Sequence, residues 1–136
     1  MVHQNITYIG ELRCEAVHGP SKVHLITDAP TDNHGKGESF SPTDLVVTAL
    51  ASCIITTAGM IAQRENVNLE GTKIYAEKHM STDSPRRIVN IVLEFDMPQN
   101  IPLNFRSKLK ATAVSCPVKQ SLHPDVAVDI NFRFPD

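Results

Sequence analysis

The sequence predicts an α+β domain, and three observations carry that prediction. Residues 41 to 62 form a long uncharged run that opens with helix-capping residues. Short alternating segments flank it, separated by clusters of turn formers, and a further helical region precedes a last alternating strand. The 136 residues are read as a single domain over 1–136. A chain of that size buries roughly two thirds of its unfolded surface, enough for a core without disulfide or metal staples.

From residue 5 to 17 the chain alternates: Ile6, Tyr8, Leu12, Cys14 and Ala16 fall on one face, and Thr7, Glu11, Arg13 and Glu15 on the other. This is the period of one half-buried strand, with Cys14 inward and Arg13 outward. His18 to Ser21 is a turn, and Lys22 to Thr27 returns as a second strand, giving a hairpin. Residues 28–40 have no apolar period and are dense in Pro, Asp, Asn and Gly. A loop of that length in a compact domain more often borders a site than merely connects two elements.

The helix that follows is marked at its start. Ser41 caps the first turn, Pro42 sits where a missing N–H has no effect, and Asp44 completes a Ser-x-x-Asp capping box. From Leu45 to Ala62 every face is apolar or small, which fits either a membrane span or a helix buried at the centre of a fold. Its Thr, Ser and Ala content, with no second span elsewhere, favours the buried helix and no membrane.

Beyond the polar end at 63–66, Gly71 to Met80 and Arg87 to Met97 read as a second hairpin, with Val89, Ile91, Leu93 and Phe95 on its inner face. Residues 103–114 read as a helix with Leu103, Leu109 and Val114 among its apolar positions. Cys116 precedes Pro117 and so stands at the N-cap of a short helical turn. In the closing strand Val126, Val128, Ile130, Phe132 and Phe134 alternate with polar or small residues.

Composition removes several classes of function. With 13 Lys and Arg against 15 Asp and Glu, there is no electrostatic case for nucleic acid or for an acidic membrane surface. The N-terminal residues have no basic, apolar leader pattern, so a cytoplasmic protein is expected. Three cysteines without a Cys-x-x-Cys pair argue against a disulfide framework or a zinc cluster. Asp28, Asp32 and His34 match no metal-binding spacing and are explained as turn formers, and no glycine-rich phosphate loop is present. No metal and no cofactor are expected.

The cysteines remain as candidates for chemistry. Cys53 is either helix packing or a nucleophile; Cys14 reads as strand packing. Taken alone, Cys116 is the better nucleophile, because helix amides stabilise a thiolate. A site that reduces peroxide or forms a disulfide needs two thiols, a cation for the attacking thiolate and a carboxylate to orient that cation. Arg13 is the candidate cation, although Glu11 and Glu15 share its strand face and offer it simple ion pairs. Asp44 is the candidate acid. It lies about 13 Å along the helix from Cys53 and about half a turn round, so it serves a site only across a homodimer.

Phe40 to Cys53, Phe-Ser-Pro-Thr-Asp-Leu-Val-Val-Thr-Ala-Leu-Ala-Ser-Cys, followed some sixty residues later by Ser115-Cys116-Pro117, resembles the OsmC/Ohr family of osmotically induced and organic hydroperoxide resistance proteins. Asp28-Ala-Pro, Gly37-Glu38, Lys78-His-Met80 and Arg86-Arg87-Ile88 resemble its bacterial OsmC-like subgroup. The resemblance implies antiparallel sheets packed around a long buried central helix in an intertwined homodimer. It also implies a thiol-dependent reduction of organic hydroperoxides, with a small or lipoyl-type dithiol as reductant. By motif, Cys53 attacks and Cys116 resolves, which reverses the preference drawn from the helix N-terminus alone; Arg13 and Asp44 stand nearest the family's supporting arginine and acid. The alternative is a non-enzymatic stress-protection or small-ligand-binding protein with packed cysteines.

Overall fold

A computed structural model describes residues 1–135, in two compact units that divide after Val46. The first unit is an antiparallel meander of β1 (Gln4–Gly10), β2 (Arg13–His18) and β3 (His24–Asp28). The single strand expected over 5–17 is therefore two strands. Glu11 and Leu12 form the turn between them, both with positive φ (53° and 62°), as a two-residue turn of the I′ class requires. Such a turn alone would pair odd with even residues, but a bulge between Tyr8 and Gly10 restores the pairing of Tyr8 with Cys14 and Ile6 with Ala16. The apolar parity thus runs through the turn unbroken and hides it. Cys14 is half-buried, while Ile6, Tyr8 and Leu25 on its sheet face are exposed within the chain.

The loop after β3 is tied down by its own backbone. Asp28 N–H donates to Phe40 C=O (3.1 Å), Ala29 N–H to Leu12 C=O (3.2 Å), and Gly35 N–H to Pro30 C=O (3.0 Å). Gly35 lies so close to Ala29 that a Cβ there would stand 1.7 Å from its carbonyl oxygen, so only glycine fits.

Helix α1 (Pro42–Arg64) begins where the capping residues place it. Ser41 N–H donates to Asp44 Oδ2 (2.9 Å), and Asp44 N–H donates back to Ser41 Oγ (3.1 Å). The reciprocal bonds satisfy donors that the first helical turn leaves orphaned. Helix α1 is long and apolar enough to cross a bilayer by length and composition alone. In this chain it buries one stripe, Val47, Leu50, Ala51, Ile54, Ala58 and Ala62, while Thr48, Ser52, Thr56 and Met60 form an exposed one.

That buried stripe supplies the core of the second unit. β4 (Lys73–Met80) pairs antiparallel with β5 (Ile88–Asp96), as the hairpin pattern predicts. Strand β6 (Ala127–Arg133) pairs with β5 in parallel, so the second sheet is mixed and not purely antiparallel. The reason is the crossover: α2 (Leu103–Ser115) and α3 (Pro117–Ser121) carry the chain back so that β6 runs in the direction of β5. Ile91, Leu93 and Phe95 of β5 are fully buried beside Val128, Ile130 and Phe132, and the Phe95 and Phe132 rings lie 4.8 Å apart. In α2 the inner face is Phe105, Leu109, Thr112 and Ala113; of the apolar positions read from the sequence, Leu109 is buried and Leu103 and Val114 are exposed. Thr112 is accommodated because its hydroxyl donates to Lys108 C=O at 2.8 Å.

Substituting Ser41→Ala removes the cap and is expected to destabilise the protein by about 1 kcal/mol. A urea denaturation midpoint indistinguishable from wild type would contradict this role for the capping box.

Candidate functional site

Cys53 sits in the middle of α1, next to buried Ile54 and at the margin of the exposed stripe, so its side chain is half-buried. It lines a cleft of about 370 Å³ with Ala49, Ser52, Thr56, Met60 and Pro117. Ala49, Thr56 and Met60 are four before, three after and seven after Cys53, the spacing of a single helix face. Pro117 brings the α2–α3 junction to the same cleft.

Cys116 ends α2 and caps α3, as its place before Pro117 predicts. It is fully buried, and its Sγ accepts a hydrogen bond from Lys119 N–H at 3.4 Å. The two thiols are neighbours: Cys53 packs against the buried cluster that contains Cys116, and Pro117, the residue after Cys116, lines the Cys53 cleft. Burial pushes the Cys116 thiol above its ordinary value, and the neighbouring Cys53 adds to the rise. The Lys119 N–H acts in the opposite direction but does not reverse it. The expectation that a helix N-terminus would make Cys116 the more acidic thiol thus fails on burial, and α3 has only 5 residues to contribute a dipole.

Arg13 and Asp44 belong to the first unit. Neither Glu11 nor Glu15 is the partner of Arg13. Its Nη2 donates to Asp28 Oδ2 at 3.2 Å and to the carboxylate of Glu38. Asp28 is fully buried, yet the Glu38 backbone N–H, at 2.9 Å from the same oxygen, and the guanidinium hold its carboxyl below the usual carboxylate range. The sequence reading passed over Asp28 as a turn former. The signal was the register that sets Arg13 opposite Asp28 across β2 and β3, and that register emerges only once the turn at Glu11 and Leu12 is known. Asp44 is engaged at the start of α1 with Ser41. Among the described residues no group of three or more His, Cys, Asp or Glu is arranged to hold a metal ion.

The model of the OsmC-like protein family matches residues 35–131, a span that contains Asp44, Cys53 and Cys116 but not Arg13. The chain belongs to the OsmC-like protein family. Among solved structures, a Psychrobacter arcticus protein named for the osmotic stress and detoxification response is 38% identical. Its TM-score is 0.93, with 98% of this chain and 96% of that one covered. The organic hydroperoxide resistance protein OsmC of Legionella pneumophila shares the fold at 16% identity (TM-score 0.76, covering 97% and 96%). A Vibrio cholerae protein named for organic hydroperoxide resistance, with captopril in one of its active sites, does so at 14% identity (TM-score 0.74, covering 97% and 90%). No curated protein matches this OsmC-like chain.

In the native reduced protein at pH 7, iodoacetamide is expected to modify Cys116 about ten-fold more slowly than Cys53, because Cys116 is buried and held as the neutral thiol. Peptide mass mapping over time checks this, and equal rates would contradict it. A raised folded-state pKa also means that Cys116 contributes stability below the unfolded thiol value, about 8.5. That contribution declines as pH rises through this value towards the folded one. Urea denaturation of reduced wild type and Cys116→Ala between pH 7 and 10 is expected to show a smaller loss of stability in the variant.

Proposed function

We propose that this OsmC-like protein is a thiol-dependent peroxidase that reduces organic hydroperoxides through a two-cysteine cycle. The observation that carries the reading is a half-exposed cysteine on a cleft, packed against the core cluster that holds a second, fully buried cysteine, with Pro117 beside that second cysteine forming part of the cleft wall. The Cys53 thiolate attacks the terminal peroxide oxygen; the O–O bond breaks, the alcohol leaves with a proton, and Cys53 becomes a sulfenic acid. Cys116 then attacks the Cys53 sulfur, the S–O bond breaks, water leaves and a disulfide forms. A small or lipoyl-type dithiol reduces the disulfide and is itself oxidised. The roles follow the accessibility of the two sulfurs: peroxide enters by the cleft, and the second thiol waits where solvent oxidants do not reach it.

Arg13 supplies the cation in this scheme, and Asp44 acts from the partner's chain of a homodimer. The homodimer is supported by apolar surface exposed in the single chain, namely Ile6, Tyr8 and Leu25 on the first sheet and Met60 on the open stripe of α1. The protein works in the cytoplasm as one domain, without metal or organic cofactor. The detoxification name of the Psychrobacter protein, at 38% identity, fits this reading.

The test is a free-thiol titration of the reduced protein before and after one equivalent of an organic hydroperoxide. Wild type is expected to lose two thiols per chain, Cys53→Ser none rapidly, and Cys116→Ser to accumulate a trappable sulfenic acid at Cys53. Retention of all three thiols by wild type would overturn the enzyme and favour a binding or stress-protection protein.

A further inference from the structure

In the proposed cycle Arg13 is a cation, and the first unit specifies how that cation is held. Register sets Arg13 on β2 directly opposite Asp28 at the end of β3. A single oxygen, Asp28 Oδ2, accepts from both Arg13 Nη2 (3.2 Å) and the backbone N–H of Glu38 (2.9 Å). The Glu38 side chain then closes on the same Nη2. The arginine is thus tied at once to the sheet and to the loop that leads into α1. Both carboxylates engage Nη2, and the buried Nε of Arg13 has no hydrogen-bond partner, so the two acids hold the guanidinium by one nitrogen.

The two acids differ in setting. Asp28 is completely buried, whereas the Glu38 side chain is 61% exposed. A carboxylate is kept at a fully buried position only when charge and hydrogen bonds compensate its lost hydration, and here Arg13 and the loop N–H do so. An exposed ion pair such as Glu38 with Arg13 contributes little to stability. Geometry is what this pair fixes: an arginine side chain otherwise samples many rotamers, and two carboxylates on one nitrogen select among them.

We propose that Asp28 is the positioning residue for Arg13 in the peroxidase reaction, with Glu38 as its exposed second support. The assignment rests on the role given to Arg13 above. It places the arginine-orienting carboxylates on the end of β3 and the following loop, elements that precede the helix bearing Asp44.

The experiment uses the reduced full-length protein and measures two rates at Cys53, oxidation by tert-butyl hydroperoxide and alkylation by iodoacetamide. Both are followed in wild type, Arg13→Ala, Asp28→Asn, Glu38→Gln and the combinations of each acid variant with Arg13→Ala. Arg13→Ala and Asp28→Asn are each expected to slow oxidation ten-fold or more, and Glu38→Gln about three-fold. Alkylation at pH 10 should be unchanged. In the Arg13→Ala background neither acid substitution should slow oxidation further, a pattern that a merely structural acid would not give. Should Asp28→Asn fail to fold, Glu38→Gln with and without Arg13 decides the matter, since its side chain is on the surface. If Arg13→Ala is slow while both acid variants oxidise at the wild-type rate, the inference falls and the peroxidase reading stands. The inference falls equally if the acid variants slow Arg13→Ala by the same factor as wild type. If Arg13→Ala itself reacts at the wild-type rate, the role of Arg13 falls and takes the inference with it.

Discussion

A helix with no polar face has to choose which of its stripes to bury, and in this chain the choice made by α1 governs the rest. Val47, Leu50, Ala51, Ile54, Ala58 and Ala62 recur at the three- and four-residue steps of one helix face. Leu50 and Ile54 are fully buried, each contributing about 1.5–3 kcal/mol of transfer free energy. Once that stripe is inside, Cys53 necessarily lies at its edge, about 100° round the helix from Ile54. The central cysteine is therefore neither deep in the core nor free in solvent. Cys116 reaches it because the return of the chain from β5 to β6 ends α2 at a buried residue and begins α3 with a proline at the cleft.

Burial has opposite consequences for two fully enclosed ionisable groups, Asp28 and Cys116. Asp28 keeps its charge because a guanidinium and a backbone N–H replace the water it has lost. Around Cys116 the backbone N–H groups do not offset its desolvation and the neighbouring thiol adds to it, so its neutral form is favoured. The same low-dielectric interior thus fixes a carboxylate as an anion in one unit and a cysteine as a neutral thiol in the other. What differs is the inventory of donors around each atom, and this inventory is a tertiary property.

Much of α1 and of the second unit was legible from the sequence because the signals are local. Ser41, Pro42 and Asp44 announce the start of α1, the alternation of Ile91, Leu93 and Phe95 marks a buried strand face, and Pro117 places Cys116 at a cap. The errors have physical causes. Helical period alone marked Leu103, Leu109 and Val114 as apolar positions without telling which are buried, and the rotation of α2 is set by Phe105 and Leu109 packing inward. The direction of β6 depends on a crossover and leaves no trace in its alternation. The first meander was read as a hairpin because its bulge and two-residue turn cancel each other's effect on side-chain parity. That one concealed turn also concealed the pairing of Arg13 with Asp28. The nearness of Cys53 and Cys116 was invisible to periodicity for another reason, since the two lie on different elements.

The separation of those two cysteines along the chain has a thermodynamic side. A covalent link between Cys53 and Cys116 closes a loop of roughly sixty residues, and in the chain-entropy account such a closure removes about 4 kcal/mol of unfolded-state freedom. The closed segment contains β4, β5 and α2, which are most of the second unit's sheet and its crossover. Oxidation of the pair would therefore act as a reversible staple across the part of the fold that must find itself over the longest range. In the proposed cycle each turn would then alternate between a looser and a tighter protein, and the redox poise of the surroundings would be read out as resistance to unfolding.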